Sequence, residues 1–192
     1  MIEIMLPIGE KEVRALHTGD FVSISGRMYT GRDVGHAWLA HQLRPEFRDL
    51  LRDRMIYHCG PVVKKTEKGW VVLSAGPTTS ERDEPYQATI IQEYSVRGVI
   101  GKGGMGPKTL AACKEFGAVY LHAIGGAGAL TAQRIKKVTN VYMLEFGTPE
   151  AFWEIEVEGF PAIVTMDSHG HSLHEDVLKR SEKEYMRLMA GK

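Results

Sequence analysis

Short apolar runs and helical stretches alternate through the middle of this chain, an order that predicts an α/β fold with a mostly parallel central sheet. Strand-like runs dominate toward both ends, which predicts a second, antiparallel layer. A third observation supports both readings: the 21 glycines concentrate where apolar runs stop, as expected at strand ends and turns.

Residues 21–29 (FVSISGRMY) partly alternate apolar with polar side chains and read as a strand. Residues 33–43 follow with helical spacing of Val34, Trp38 and Leu39. Apolar residues 62–63 and 70–73 flank KKTEKG, which predicts a hairpin. The run 96–100 ends in GKGG, and 107–116 reads as a helix with proline in its first turn. A strand is expected over 118–124, stopped by Gly125 and Gly126, then a helix over 129–138. Three further strands are read at 141–144, 152–157 and 162–166. The last stretch, 173–189, sets Val177, Leu178, Tyr185, Leu188 and Met189 among charges, the pattern of an amphipathic helix. No linker rich in Pro, Ser or Gly and no internal repeat divides the chain. One domain is therefore expected over residues 1–192, with 170–192 as a C-terminal helical extension.

Lys+Arg and Asp+Glu are equal at 24 each, so no global field favours nucleic acid or an anionic membrane. Anion binding must come from local cation clusters. Residues 1–6 are followed at once by charge and do not resemble a signal peptide, and no apolar run approaches the ~20 residues of a membrane span. A cytoplasmic location is expected, with Cys59 and Cys113 reduced rather than paired. His169, His171 and His174 lie close together, but no cysteine or paired carboxylate completes a metal site, and solvated tail histidines are the plainer reading.

Three segments share one design: a strand, a loop of small residues, a cation, then a helix. They are Tyr29-Thr30-Gly31-Arg32-Asp33, Ser74-Ala75-Gly76-Pro77-Thr78-Thr79-Ser80-Glu81-Arg82 and Ile100-Gly101-Lys102-Gly103-Gly104. Ligands of open α/β sheets gather beyond the carboxyl ends of strands, where such loops lie. Arg32 and Arg82 offer bidentate forks for carboxylates, and Lys102 offers a compact charge. Three converging cations among hydroxyl-bearing loops suit a small dicarboxylate. Each part also has a structural reading: Asp33, Thr79 and Ser80 suit helix caps, His36 suits a packed helix position, and Gly-Lys-Gly-Gly lacks the pattern of a phosphate-binding loop.

At these loops the sequence resembles the C-terminal part of class I fumarases and the beta subunit of tartrate dehydratases. The resemblance is carried by GDFVSISGRMYTGRDVGHAWL, IYHCGPV, SAGPTTSERDEPY, GVIGKGG, YLHAIGGAGAL and WEIEVEGFPAIV. These stretches run in order from about residue 19 to 164, roughly three-quarters of the chain, and SAGPTTS followed by IGKGG is highly specific. The resemblance implies a swivelling β/β/α three-layer domain that closes over a partner alpha subunit bearing a four-iron, four-sulfur cluster. It implies that Arg32, Arg82 and Lys102 bind the substrate's carboxylates, that Thr78 is the base, and that Cys59 is structural. The activity implied is reversible hydration of fumarate to L-malate by a hetero-oligomer, a heterotetramer of two alpha and two beta chains. The cluster's free iron would act as Lewis acid on the hydroxyl. Tartrate dehydratase is the nearest alternative, and a cluster-independent anion-binding or regulatory module is the alternative of another class.

Two departures stand out. Glu81-Arg82-Asp83-Glu84 replaces the usual Gly-Arg-Met-Asp, and extra acid beside Arg82 is expected to weaken the local positive field. RDVGHAWL replaces the commoner Arg-Asp-Ala-Ala-His, keeping Arg32, Asp33 and His36. Two cysteines are too few for a cluster that takes about three or four thiolates. Anaerobic reconstitution of the isolated chain with iron and sulfide should therefore yield folded protein without stoichiometric cluster or hydratase activity. Iron and sulfide analysis decides; a full cluster with turnover would overturn the two-subunit expectation.

Overall fold

The computed structural model describes residues 1–190; Gly191 and Lys192, the end of the expected helical extension, lie outside the described residues. The chain runs through β1 (Ile2–Met5), α1 (Glu10–Val13), β2 (Phe21–Gly31), α2 (Asp33–His41), α3 (Pro45–Leu51) and β3 (Met55–His58). A hairpin follows, β4 (Val62–Thr66) and β5 (Gly69–Ser74), then a 3₁₀ turn (Ser80–Asp83) leading into α4 (Glu84–Tyr94). Next come β6 (Gly98–Gly101), α5 (Pro107–Phe116), β7 (Val119–His122), α6 (Gly128–Ala132) and β8 (Ile135–Tyr142). A second 3₁₀ turn (Leu144–Phe146), β9 (Phe152–Met166) and α7 (Leu173–Ala190) complete the described chain.

Seven strands form one sheet in the order β1-β2-β3-β6-β7-β9-β8, with β2 also paired to β9. Strands β1, β2, β3, β6 and β7 are parallel to their neighbours, while β8 and β9 join antiparallel. The mixed α/β class and the mostly parallel sheet match the sequence reading. The antiparallel strands hydrogen-bond into that same sheet, and the only separate sheet among the described residues is the β4–β5 hairpin. Because β9 pairs with β2 along one edge and with β7 along the other, β2-β3-β6-β7-β9 close into a ring.

Alternation along the strands divides the apolar residues between two cores. Met55, Tyr57, Val119, Leu121, Trp153 and Ile155 point to one. Ile56, Tyr120 and Phe152, one residue out of step, join Leu39, Phe47, Ile90, Ile91 and Cys113 under the helices. Trp153 is the largest fully buried side chain, and its Nε1 donates to the Thr148 carbonyl at 2.9 Å.

Two expectations require correction. Residues 129–138 are not one helix: α6 stops at Ala132 and β8 begins at Ile135. Ile135, Val138 and Val141 recur every third residue and pack on the first core. That spacing mimics a helix, but register shifts after Ile135 and Val138 insert an extra residue each time, which keeps a strand's apolar side chains facing one way. The strands expected at 152–157 and 162–166 are one strand, because Gly159–Pro161 bridges the segment paired with β8 and the segment paired with β7 while β2 pairs alongside. The sequence reading missed β1, α1, α3 and β3, while α4 is the helix expected after the Ser74–Arg82 loop.

Helix α7 buries no residue; Val177, Leu178, Tyr185, Leu188 and Met189 are exposed. No helix among the described residues is long and apolar enough to cross a membrane. The contrast between Trp153 and α7 sets a stability test. Trp153→Ala should cost about 3–5 kcal/mol in urea unfolding. Leu178→Ala should stay within about 0.5 kcal/mol.

Candidate functional site

The parallel strands deliver the predicted cations to one edge of the sheet. Gly31 lies opposite His58, Tyr57 opposite Ile100, and Gly101 opposite His122, so β2, β3, β6 and β7 end side by side. The next residues after β2 and β6 are Arg32 and Lys102. The loop from Ser74 to Arg82 is stitched between the ends of β3 and β6 by main-chain bonds. Thr78 N donates to His58 O at 2.7 Å, Lys102 N to Thr78 O at 3.2 Å, and Ser80 N to Lys102 O at 3.0 Å.

Side chains complete the arrangement. Arg82 Nη2 donates to Thr78 Oγ1 at 2.8 Å, and Arg82 Nη1 lies 3.4 Å from Asp33 Oδ2. Arg32, extended at the head of α2, places Nη1 3.3 Å from Glu150 Oε1, while its buried Nε has no partner. The Arg32–Asp33 corner and the Thr78–Arg82 loop are thereby joined through the Asp33–Arg82 pair. Lys102 is tied to Thr78 through the backbone, but its ammonium makes no ion pair among the described residues. Arg82 is half exposed and Arg32 less so.

The structural readings are corrected in part. Asp33 is the first residue inside α2, not its N-cap, and its carboxylate turns to Arg82. Thr79 heads the 3₁₀ turn without a side-chain cap bond. The acidic run around Arg82 does not simply add surface charge. Asp83 is wholly buried, and Glu84 accepts from the backbone N–H of Gly106, Lys108 and Thr109 and from Thr109 Oγ1, capping α5. Only Glu81 remains exposed beside Arg82. The acid that does face the cations comes from Asp33 and Glu150.

Behind the loops lies a polar cluster that the sequence did not reveal. His36, His58, Ser80, Asp83 and Gln87 are each 0% exposed. His36 Nδ1 donates to Arg32 O at 3.0 Å and lies 3.8 Å from Asp83 Oδ1. His58 Nδ1 is 2.8 Å from Ser80 Oγ and 3.5 Å from Asp83 Oδ2, and its Nε2 is 3.1 Å from Gln87 Oε1. Tyr120 donates its hydroxyl to Ser80 Oγ at 3.0 Å. Burial raises the Asp83 carboxyl above its ordinary range, opposed by His36, and burial together with His36 pushes His58 well below. His36 was expected as a packed helix residue and is one. His58 escaped because β3 did, and Asp83 because it sits in an acid-rich segment.

Elsewhere the histidines serve local structure. His174 Nε2 is 3.0 Å from Thr165 Oγ1 and its ring packs beside Tyr120 and His122, while burial and His122 lower its pKa. His17 and His169 stack at 4.5 Å, and Asp167 accepts from the backbone N–H of Thr18, His169 and His171. Among the described residues, three metal-ligand side chains come within 4.8 Å of one another only at His36, His58 and Asp83.

Three cationic side chains, a threonine hydroxyl held by one of them, and strand-end loops meet at one edge of this α/β sheet. Comparison with known proteins carries this further. The sequence model described as Fumarase C-terminus matches residues 1–177, and the chain belongs to that family. It is 53% identical over 182 residues to a Geobacillus stearothermophilus protein named putative fumarate hydratase class I, an alignment covering 94% of this chain and 35% of that protein. The chain thus spans about a third of that relative's length. It is 43% identical over 176 residues to a Methanocaldococcus jannaschii protein named putative L(+)-tartrate dehydratase subunit beta, covering 89% of this chain and 90% of the relative. It is 37% identical over 168 residues to the Escherichia coli K12 L(+)-tartrate dehydratase subunit beta, covering 87% of this chain and 83% of the relative.

Both cysteines are free and buried. Cys59 belongs to one core and Cys113 to the other, and burial pushes each thiol up to about 12. Both should resist iodoacetamide at pH 8 in the native chain and react fully in guanidinium, because the thiolate is the nucleophile. Rapid native labelling of Cys59, followed by mass spectrometry, would show an open site there.

Proposed function

We propose that this chain is the beta subunit of an iron–sulfur hydro-lyase that reversibly hydrates fumarate to L-malate. In this reading it is a single swivelling β/β/α domain with a helical extension, assembled with a cluster-bearing alpha subunit as a heterotetramer of two alpha and two beta chains. The observation that carries the proposal is the Arg82–Thr78 bond at an edge shared with Arg32 and Lys102. The identity with the Geobacillus stearothermophilus protein favours fumarate. The second reading, L-tartrate dehydratase, is favoured by two relatives named as beta subunits and matched over most of their length.

Cys59 and Cys113 do not fit a cluster. They sit in separate cores with thiols that hold their protons, so the four-iron, four-sulfur group is assigned to the partner subunit and no step on this chain runs through it.

The chain's own residues divide the work. Arg32, Arg82 and Lys102 bind the two carboxylates of the substrate, with guanidinium forks giving orientation as well as charge. Asp33 and Glu150 already pair with these guanidiniums. A substrate carboxylate therefore exchanges one acidic partner for another rather than meeting bare cations. Thr78 Oγ1 takes the proton from the carbon beside the carboxylate. A free threonine hydroxyl is a poor base, but a guanidinium donating to its oxygen favours the ionised form. The cations also stabilise the charge that builds on the carboxylate as the proton leaves.

Anaerobic co-expression with the cluster-bearing partner, followed by assays on malate, fumarate and tartrate, tests this reading. Arg32→Met, Arg82→Met and Lys102→Met should each lower kcat/KM by at least about tenfold, since a charge-assisted hydrogen bond contributes roughly 1.5–3 kcal/mol. Thr78→Ala should lower kcat by at least ~100-fold with little change in KM, and Thr79→Ala by much less. Solvent exchange of the substrate's proton assigns the base: exchange at the parent rate in Thr78→Ala would remove Thr78 from that role. Anion binding without turnover of any dicarboxylate would favour the regulatory module instead.

A further inference from the structure

The cluster behind the loops contains more polar groups than its burial explains. Both Asp83 oxygens, His36 Nε2 and Gln87 Nε2 are buried without a hydrogen-bond partner. Apolar side chains of similar volume in such a place are often neutral or better for stability. What they cannot provide is direction, and the direction of each polar contact here is specific.

Four of its members, His36, His58, Ser80 and Asp83, reach or belong to the cation-bearing loops. His36 donates to the carbonyl of Arg32 itself. The backbone carbonyl of His58 accepts from Thr78 N, while its ring meets Ser80 Oγ. Ser80 N donates to the Lys102 carbonyl. Asp83 adjoins Arg82 in the chain and lies between the two imidazoles. Gly101 seals the arrangement: a Cβ there would fall on Ser80 Oγ and come within 3.3 Å of His58 Nδ1. Arg32, Thr78–Arg82 and Lys102 are thus referenced to one buried set of hydrogen-bonding atoms.

A metal ion is the competing occupant, because His36, His58 and Asp83 are ligand types at suitable separations. The hydrogen bonds argue against it. The Nδ1 of His36 must carry a proton to bond the Arg32 carbonyl, and the Nδ1 of His58 is engaged by Ser80 Oγ. Both Nδ1 atoms that approach Asp83 are thus already engaged within the protein.

We propose that His36, His58, Ser80 and Asp83 form a positioning unit that fixes Arg32, Arg82 and Lys102 relative to one another for a two-carboxylate substrate. The kinetic arm of this inference rests on the hydro-lyase reading above; the structural arm does not. His36→Leu removes the donor to Arg32, whereas His36→Asn keeps an N–H near the Nδ1 position. Ser80→Ala is the milder variant should His36→Leu fail to fold.

The test combines two measurements. In the isolated full-length chain, the Nε–H signals of Arg32 and Arg82 are followed by nitrogen-15 NMR. In the complex with the cluster-bearing partner, KM and kcat are measured for fumarate and malate, with the active fraction determined separately. His36→Leu and Ser80→Ala should displace the arginine signals and raise KM by about 10- to 100-fold in the folded fraction. His36→Asn should restore most of both. A purely structural role would lower the active fraction and leave KM of the surviving enzyme unchanged. Arginine signals and KM at parent values in folded His36→Leu or Ser80→Ala would overturn the inference, as would stoichiometric zinc or iron in the purified chain lost on His36→Asn. Should the parent complex turn over no dicarboxylate, the hydro-lyase reading falls and the arginine signals alone decide the positioning unit.

Discussion

The site depends on parallel strands ending together. Parallel pairing of β2, β3 and β6 places their carboxyl ends on one edge, so residues far apart in sequence emerge side by side. No side-chain contact could substitute for this constraint, because a one-residue slip of any strand would send its emerging cation to the opposite face. The loop bearing Thr78 is no strand end of β3 or β6, and it reaches the same edge only because its backbone is hydrogen-bonded to His58 and Lys102. Topology sets the neighbourhood, and main-chain hydrogen bonds set the distances within it.

Charge at this edge is arranged in two tiers. Outward, guanidinium groups sit beside carboxylates of Asp33 and Glu150, so the surface is not a bare positive patch. Such partly exposed pairs contribute little to stability. They hold the guanidinium forks beside Glu150 and Asp33. Inward, burial disfavours formal charge, since a wholly buried unpaired ion is costly. The raised Asp83 and lowered His58 both follow from that rule.

Much of this was legible in the residues. Gly31-Arg32, the Ser74–Arg82 loop and Gly101-Lys102 were recognisable as strand-end loops with cations, and the structure places all three on one edge. Less could be read where tertiary pairing overrode local pattern. Ile135, Val138 and Val141 kept a helix-like spacing because bulges in β8 compensate for it. The fully buried β3 has no polar alternation to announce it. Asp83 and Glu84 look alike in sequence, yet one closes a buried cluster and the other caps a helix twenty-two residues on. That difference is set by where the 3₁₀ turn hands over to α4, which only the assembled fold decides.

The pairing of β2 with β9 has a kinetic meaning. Phe21 meets Ile163 and Tyr29 meets Glu154, so the second strand of the sheet is completed by the last. Contacts this distant in sequence close large loops before any burial repays the lost chain entropy, and folding slows accordingly. During synthesis the edges of β2 and β7 that β9 will cover wait exposed until Phe152–Met166 has emerged. Partly paired β edges are the surfaces through which nascent chains stick to one another. Until β9 arrives those edges are open to such contacts, so completion of the sheet waits on Phe152–Met166.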